Sequence, residues 1–131
     1  MKTIHESEVT ERAPPGRFLR WIVDPADGLE ANNCSCCIMR VEPGRTVSPA
    51  HCHPDCEELI YIVSGSGKVY ADGVIKPVRE GSAVLFDKGS IHMVRNDGAV
   101  ELKVACFYAP RTSLDKYELH PEVDFDRGAI C

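Results

Sequence analysis

Short β-prone segments separated by turn residues fill most of this 131-residue chain and constrain its fold more than any other feature. Across residues 34–108, runs of Val, Ile, Tyr, Leu and Cys alternate with breaks that contain Gly, Pro, Asn or Asp. This spacing is typical of a β-sandwich or barrel. Asp72-Gly73 predicts a tight hairpin, because this dipeptide tolerates the positive φ angles of a two-residue turn. No amphipathic stretch exceeds about two helical turns, so the sequence predicts an all-β protein.

The length and the two ends of the chain indicate one domain with extensions, since 131 residues suit a single compact core. We predict an N-terminal arm at residues 1–30, a barrel at 31–112 and a C-terminal tail at 113–131. Within the arm, residues 17–23 form a candidate extra strand. Its apolar side carries Leu19, Trp21 and Val23. We expect the tail to be loop or a single helical turn.

Charge and hydropathy exclude several classes of protein. Twenty acidic against fifteen basic side chains give a formal net charge of -5, whereas a nucleic-acid binder needs a basic face. The longest apolar runs, such as Ala83–Phe86, are far shorter than the roughly 20 residues of a membrane span. Residues 1–10 include Lys2 and Glu6 and no apolar stretch, so we expect no secretory signal and a cytoplasmic protein.

Seven cysteines are the unusual feature of the composition. An odd number cannot pair completely within one molecule, and about 5% cysteine lies below the roughly 8–10% of a disulfide scaffold. We therefore expect free thiols that mostly pack as small apolar side chains. A soft-metal cluster of Cys34, Cys36 and Cys37 is the alternative, although Cys36 and Cys37 would point to opposite faces of a strand.

Histidines two residues apart indicate a metal site. In a strand, His51 and His53 would project to the same side while Cys52 faces away. A carboxylate follows a few residues later, and imidazole and carboxylate ligands together suit Fe, Mn, Ni, Cu and Zn. His92, in a second stretch, is the candidate third imidazole. The pattern therefore predicts one divalent transition metal and leaves its identity open.

The two stretches resemble the two motifs of the cupin superfamily, whose members are small double-stranded β-helix or jelly-roll barrels that often bind a metal. The matching positions are His51, His53, Glu58, Gly65, Gly81, Gly89, His92 and Asn96. Six residues, one more than in the motif, separate Gly44 from His51, and a bulge near Pro49 would absorb the extra one. Asp87 stands where the motif has proline, which alters a turn and removes no ligand.

The resemblance implies a cupin barrel in which His51, His53, Glu58 and His92 hold the metal. Glu58 is preferred to Glu57 because six residues separate it from Gly65, as in the motif. The alternative is a barrel without metal, in which these residues are ordinary polar side chains. The resemblance also implies a homodimer that exchanges an N-terminal strand, and an Asn96 that orders a turn.

Strand alternation predicts a mainly apolar pocket beside the metal, as expected of a small-molecule site. The predicted lining residues are Met39, Ile60, Ile62, Val84, Phe86, Cys106 and Tyr108. Cys37 is expected to face inward as well. Alternation identifies no inward arginine or lysine, which favours a small neutral or aromatic substrate over a phosphorylated sugar.

We expect a metal-dependent enzyme that acts on a small organic molecule, and the resemblance favours a dioxygenase. Three histidines and one glutamate leave one or two coordination positions for water, substrate or dioxygen. Two alternatives stay open, because a fold does not select a reaction. One is an isomerase or lyase that uses the metal as a Lewis acid, and the other is a non-catalytic small-molecule binder. Tyr108 is the candidate catalytic acid or base.

Overall fold

The computed structural model describes residues 1–130, which form eleven strands and no α-helix. The strands are β1 (Phe18–Val23), β2 (Ser35–Val41), β3 (Ala50–Cys52), β4 (Glu57–Ser64), β5 (Ser66–Ala71), β6 (Val74–Arg79), β7 (Ala83–Phe86), β8 (His92–Arg95), β9 (Leu102–Ala109), β10 (Glu118–His120) and β11 (Ala129–Ile130). Short 3-10 helices occupy Glu6–Glu8, Leu114–Lys116 and Phe125–Arg127. The predicted all-β class is confirmed. Among the residues described, no helix has the length and apolar character needed to cross a membrane.

The strands form two sheets that share one core. The first sheet has the order β1-β2-β9-β4-β7, and the second has the order β10-β3-β8-β5-β6-β11. Only the pair of β6 and β11 is parallel. Alternation along β4 builds this core, since Ile60 and Ile62 are fully buried while Leu59 and Tyr61 are exposed. Metal-ligand candidates on the inner faces therefore point toward the centre of the barrel.

Two local predictions from turn chemistry hold in the structure. Asp72 and Gly73 adopt φ angles of 46° and 89° and join β5 to β6 in the predicted hairpin. The extra residue before His51 is absorbed as an irregularity in pairing with β8. Thr46 bridges Arg95 and His51 pairs with His92, so residues 46–51 lie opposite residues 92–95. Six residues thus face four, and the two extra residues lie around Pro49, where the bulge is predicted.

The prediction that the tail is loop or a single helical turn is wrong. β10 pairs antiparallel with β3, and β11 pairs parallel with β6, so the tail adds a strand to each edge of the second sheet. Strands of three and two residues are too short to show an alternating pattern. They form because unpaired edge strands offer backbone hydrogen bonds, which is a tertiary effect.

The N-terminal arm contributes the predicted extra strand. β1 pairs antiparallel with β2 of the same chain, and Leu19 and Trp21 are almost completely buried in the core. The chain itself thus covers the apolar side that strand exchange between two molecules would otherwise cover. Exchange and the homodimer stay predictions. The six cysteines within residues 1–130 are free thiols, and five of them are buried.

Asn96 is fully buried, and its side chain joins the 96–100 loop to the end of β2. Its Nδ2 donates to the carbonyls of Val41 at 2.8 Å and Val100 at 2.7 Å, and its Oδ1 accepts from the N–H of Gly98 at 2.9 Å. Asn96→Ala is expected to lower the free energy of unfolding by about 2–4 kcal/mol, because buried backbone groups lose their partners. Urea denaturation measures this loss. Asn33→Ala, at an exposed asparagine, is the control, and an equal loss in both variants would contradict the assignment.

Candidate metal centre

The structure brings together the four side chains that the motif spacing selected. His51 lies on β3, His53 directly follows it, Glu58 lies on β4 and His92 begins β8. Each offers a ligand atom, and these atoms all lie within 4.8 Å of one another. All four residues are buried, whereas the alternative carboxylate of Glu57 is exposed. The arrangement could therefore hold a metal ion with Glu58 as the carboxylate ligand.

The contacts of His92 indicate that a proton or a metal ion lies between its Nε2 and the carboxylate of Glu58. Its Nδ1 lies 2.9 Å from the carbonyl oxygen of Ser90, which can only accept, so Nδ1 carries a proton. Its Nε2 lies 2.8 Å from Oε2 of Glu58. An unprotonated Nε2 would place its lone pair against a carboxylate oxygen. Either a proton or a metal ion must stabilise that contact, and a carbonyl partner at Nδ1 is the usual orientation for a metal-binding histidine.

Several buried imidazole nitrogens at the site have no hydrogen-bond partner among the described residues, which shows whether the site suits a metal ion. Within residues 1–130, Nδ1 of His51 and both ring nitrogens of His53 are buried without a hydrogen-bond partner. Nε2 of His53 is 2.9 Å from Oε2 of Glu58, but it is not aligned for a hydrogen bond. Buried polar atoms are rarely left unpaired. A coordinated ion would satisfy such nitrogens, so the residues present fit a first-row transition metal.

Burial and neighbouring charges shift the pKa values of His51 and Glu58 toward the forms that bind metals. Burial lowers the pKa of His51 well below its ordinary value, and the charge of His92 lowers it further. Burial alone would raise the pKa of Glu58, but the adjacent His92 and His53 imidazoles hold it well below the usual range. A neutral imidazole and an ionised carboxylate are the ligand forms, because protonation blocks coordination.

Aromatic rings enclose the four ligand candidates. Phe86 stacks on His92 with ring centroids 4.0 Å apart, and Tyr117 stacks on His51 at 4.8 Å. Tyr108 meets His53 edge-on at 5.0 Å, and its hydroxyl oxygen lies 3.2 Å from that of Tyr117. Burial raises the pKa of both phenols well above the ordinary value. The two phenols therefore stay protonated at neutral pH and can donate hydrogen bonds into the site.

The expectation of no inward arginine is wrong, because Arg17 is buried and lines the central cavity. Arg17, Leu19 and Trp21 are two apart, so the alternation that placed Leu19 inward also applied to Arg17. Gly16 precedes it with a φ of 81°, and a side chain there would collide with the Thr46 backbone. Only glycine fits at this position, and it allows the chain to enter β1 with Arg17 directed inward.

Sequence reasoning also missed Tyr117, which lies between the tail's 3-10 helix and β10. No periodic pattern marked it, because its position depends on β10 pairing with β3. Of the predicted pocket residues, Met39 and Tyr108 line the central cavity and Phe86 flanks His92. The structure places the rest in the core around the site. These residues are Ile60, Ile62, Val84 and Cys106.

The central cavity is very small. It encloses about 10 Å³, which is room for about one water molecule and far less than an organic substrate requires. Leu114 and Tyr117 of the tail pack against the core beside it. An organic substrate therefore requires that residues lining the cavity move, and Tyr117 is the one that belongs to the tail.

Comparisons with known proteins agree with this architecture. A family described as "Cupin domain" matches residues 37–108. Protein SchB of Streptomyces halstedii is 37% identical over 70 residues, which are 53% of this chain and 50% of SchB. The match thus spans half of that relative's length.

Solved structures share the fold at low sequence identity. The polyketide cyclase RemF of Streptomyces resistomycificus superposes with a TM-score of 0.70 at 22% identity, covering 83% of this chain and 79% of RemF. The nucleoside dehydratase Pac13 of Streptomyces superposes with a TM-score of 0.75 at 15% identity, covering 92% and 91%. These similarities confirm the predicted double-stranded β-helix fold.

Proposed function

Because the chain belongs to the cupin family, we propose that it is a metal-dependent enzyme acting on a small molecule that carries carbonyl groups. His51, His53, Glu58 and His92 would hold one divalent transition metal. When bound, the metal supplies a Lewis acid that polarises a carbonyl oxygen. One observation carries the proposal: a buried arginine and two protonated phenols line the same small cavity as three of the ligand side chains, His51, Glu58 and His92.

Arg17 indicates the charge of the reacting group. Its side chain is buried, and Nη1 donates to the carbonyl of Pro15 at 3.1 Å. Among residues 1–130, no carboxylate lies within ion-pair distance of it. A buried cation without a partner is unfavourable unless an anion joins it. Negative charge on a substrate oxygen, such as that of an enolate, would satisfy Arg17.

The two phenols would handle the proton. Tyr108 is buried between His53 and Trp21, and its hydroxyl is hydrogen-bonded to that of Tyr117. Tyr108 would donate its proton to a substrate oxygen as negative charge develops, in the role predicted from the sequence. Tyr117 would orient that hydroxyl and, when the tail closes, exclude water. Both roles require that the substrate occupy the central cavity, which Tyr117 of the tail lines.

Cyclisation is the reaction class that these groups favour. A carbon next to one carbonyl loses its proton to water, that carbon bonds to a second carbonyl carbon, and the second carbonyl oxygen takes a proton from Tyr108, which regains one from the hydronium formed, so that the product is an isomer of the substrate. Arg17 would stabilise the enolate oxygen, and Tyr108 would protonate the new alkoxide. The names of RemF, a polyketide cyclase, and Pac13, a dehydratase, support chemistry without dioxygen. We therefore propose a poly-β-carbonyl compound as the substrate.

The predicted dioxygenase is the second candidate, and one experiment separates the two. Protein loaded with Fe(II) or Zn(II) is incubated with 1,3-diketones and short poly-β-keto thioesters, with and without dioxygen, and products are identified by mass spectrometry. Cyclisation yields an isomer, or that isomer less water, under anaerobic conditions. Oxygen uptake with incorporation into product would instead establish the dioxygenase. Thermal stabilisation by these compounds without turnover would establish the binder.

The predicted homodimer, its strand exchange and the cytoplasmic location remain part of the proposal. Light scattering of the full chain after gel filtration gives its mass in solution, and a monomer across the working concentration range would contradict the dimer. The exposed side chains Leu59, Tyr61, Leu85 and Phe107 support a dimer, because all four lie on the outer face of the first sheet. An apolar sheet face of this kind commonly marks a contact between proteins.

A further inference from the structure

A second group of metal-ligating side chains lies on the outer side of β3, away from the central site. Cys52 lies between His51 and His53 and projects to the opposite face of the strand. Glu118 of β10 is directly opposite Cys52, and His120 follows two residues later on the same side. The candidate ligand atoms of these three residues lie within 4.8 Å of one another. A thiol, an imidazole and a carboxylate thus converge on one point.

The separations between these atoms match the geometry of a zinc site. Nε2 of His120 is 3.6 Å from Sγ of Cys52 and 3.3 Å from Oε1 of Glu118. Ligands at about 2.1 Å for nitrogen and oxygen and about 2.3 Å for sulfur, arranged tetrahedrally, are roughly 3.6 Å apart for N and S and 3.4 Å for N and O. The two separations that involve Nε2 therefore match tetrahedral coordination, and the third pair, Sγ of Cys52 and the Glu118 carboxylate, lies within 4.8 Å.

The remaining nitrogen of His120 is held as it is in metal-binding histidines. Its Nδ1 lies 3.0 Å from Oε1 of Glu122, which can accept a hydrogen bond from it. The other ring nitrogen, Nε2, faces the carboxylate of Glu118 and the thiol of Cys52. Nε2 is therefore the nitrogen placed to bind a metal ion together with these two groups. A carboxylate partner at the outer nitrogen is the arrangement that orients a ligand imidazole.

We propose that Cys52, Glu118 and His120 form a second metal site, which takes Zn²⁺ with water in the fourth position. Thiolate, imidazole and carboxylate are all zinc ligands, and three protein ligands with one water is an established coordination set. Cys52 belongs to β3 and the other two ligands to β10, so the ion would join these strands. Tyr117, which lines the central cavity, immediately precedes Glu118. Zinc here would hold the tail over the central site.

Cobalt(II) substitution tests this site independently of the proposed function. The full-length protein is titrated with Co²⁺, and the near-ultraviolet charge-transfer band of a cobalt–thiolate bond is recorded. The central ligands contain no sulfur, so they do not contribute to this band. We expect a band in the wild-type protein and its loss in His120→Ala, together with about one fewer bound ion per chain. Glu118→Gln is expected to weaken binding and to keep the band at high Co²⁺.

The matched control is Cys34→Ser, which removes an exposed thiol outside the cluster and is expected to retain the band. Absence of the band in the wild-type protein, or its persistence in His120→Ala, would overturn the second site. The central site is scored separately, by the bound cobalt that gives no sulfur band. A protein that binds only one ion, with the sulfur band, would support the second site while contradicting the proposed function.

Discussion

Replacing His92 with alanine is expected to reduce the metal content of the central site from about one ion per chain to less than about a tenth of that. Loss of an outer partner of a ligand alone lowers metal affinity about 10–100-fold, and loss of a ligand removes at least as much. His92 contributes one of three imidazoles and the 2.8 Å contact with Glu58. Elemental analysis after metal loading and desalting measures the change. All variants also carry His120→Ala, so that the proposed second metal site does not contribute bound metal.

The control for this experiment is His5→Ala, which removes an exposed histidine. His92→Gln provides a second variant in which a polar side chain still occupies the buried position beside Phe86. Circular dichroism confirms that each protein is folded. Full metal retention in both His92 variants would show that His92 is not a ligand, and absence of metal from the parent protein would show that these residues are ordinary polar side chains of a metal-free barrel.

Replacing Arg17 with methionine is expected to lower kcat/KM for the carbonyl substrate by about 100–1,000-fold, the effect of removing one preorganised oxyanion partner. Metal content should be unchanged, because Arg17 is not a ligand. The folded protein should be no less stable, since methionine removes a buried charge that lacks an anionic partner. Steady-state kinetics, elemental analysis and urea denaturation measure the three quantities on one preparation.

Arg45→Met is the matched control, because Arg45 is an exposed arginine in the surface cleft that Arg17 borders. Arg17→Lys should recover part of the activity, since an ammonium group retains the charge but not the planar guanidinium. Unchanged kinetics in Arg17→Met would remove Arg17 from the mechanism. A fall in stability like that expected of a core deletion would assign it a structural role instead.

Much of the fold and the ligand set followed from local patterns. Two-residue alternation placed His51 and His53 on one side of a strand, and six-residue spacing to Gly65 selected Glu58 over Glu57. The first inference depends only on the geometry of a single strand, and the second on the resemblance to the cupin motif. Arg17 was accessible to the same reasoning, and extending the alternation of Leu19 and Trp21 by one step would have identified it.

Other parts of the site depend on contacts that no local pattern records. The sequence predicts a loop or a helical turn for the tail. In the structure, the tail contributes Tyr117 to the central cavity, and Glu118 and His120 to the proposed second metal site. β10 contains only three residues, which is too short for period-two alternation to be recognised. Its pairing with β3 supplies the hydrogen bonds that define it.

The sequence by itself determined the all-β architecture, the inward direction of alternate residues and the identity of the four central ligand candidates. The first two properties arise because each strand repeats every two residues and each turn residue permits only certain backbone angles, whereas the ligand set came from the resemblance to the cupin motifs. Tertiary structure alone decided how small the cavity is and which distant groups meet. Cys52 and His120 lie 68 positions apart and come within 3.6 Å only because the tail adds a strand to the open edge of β3. The cysteine content, unexplained by composition, thereby acquires one candidate role in metal binding.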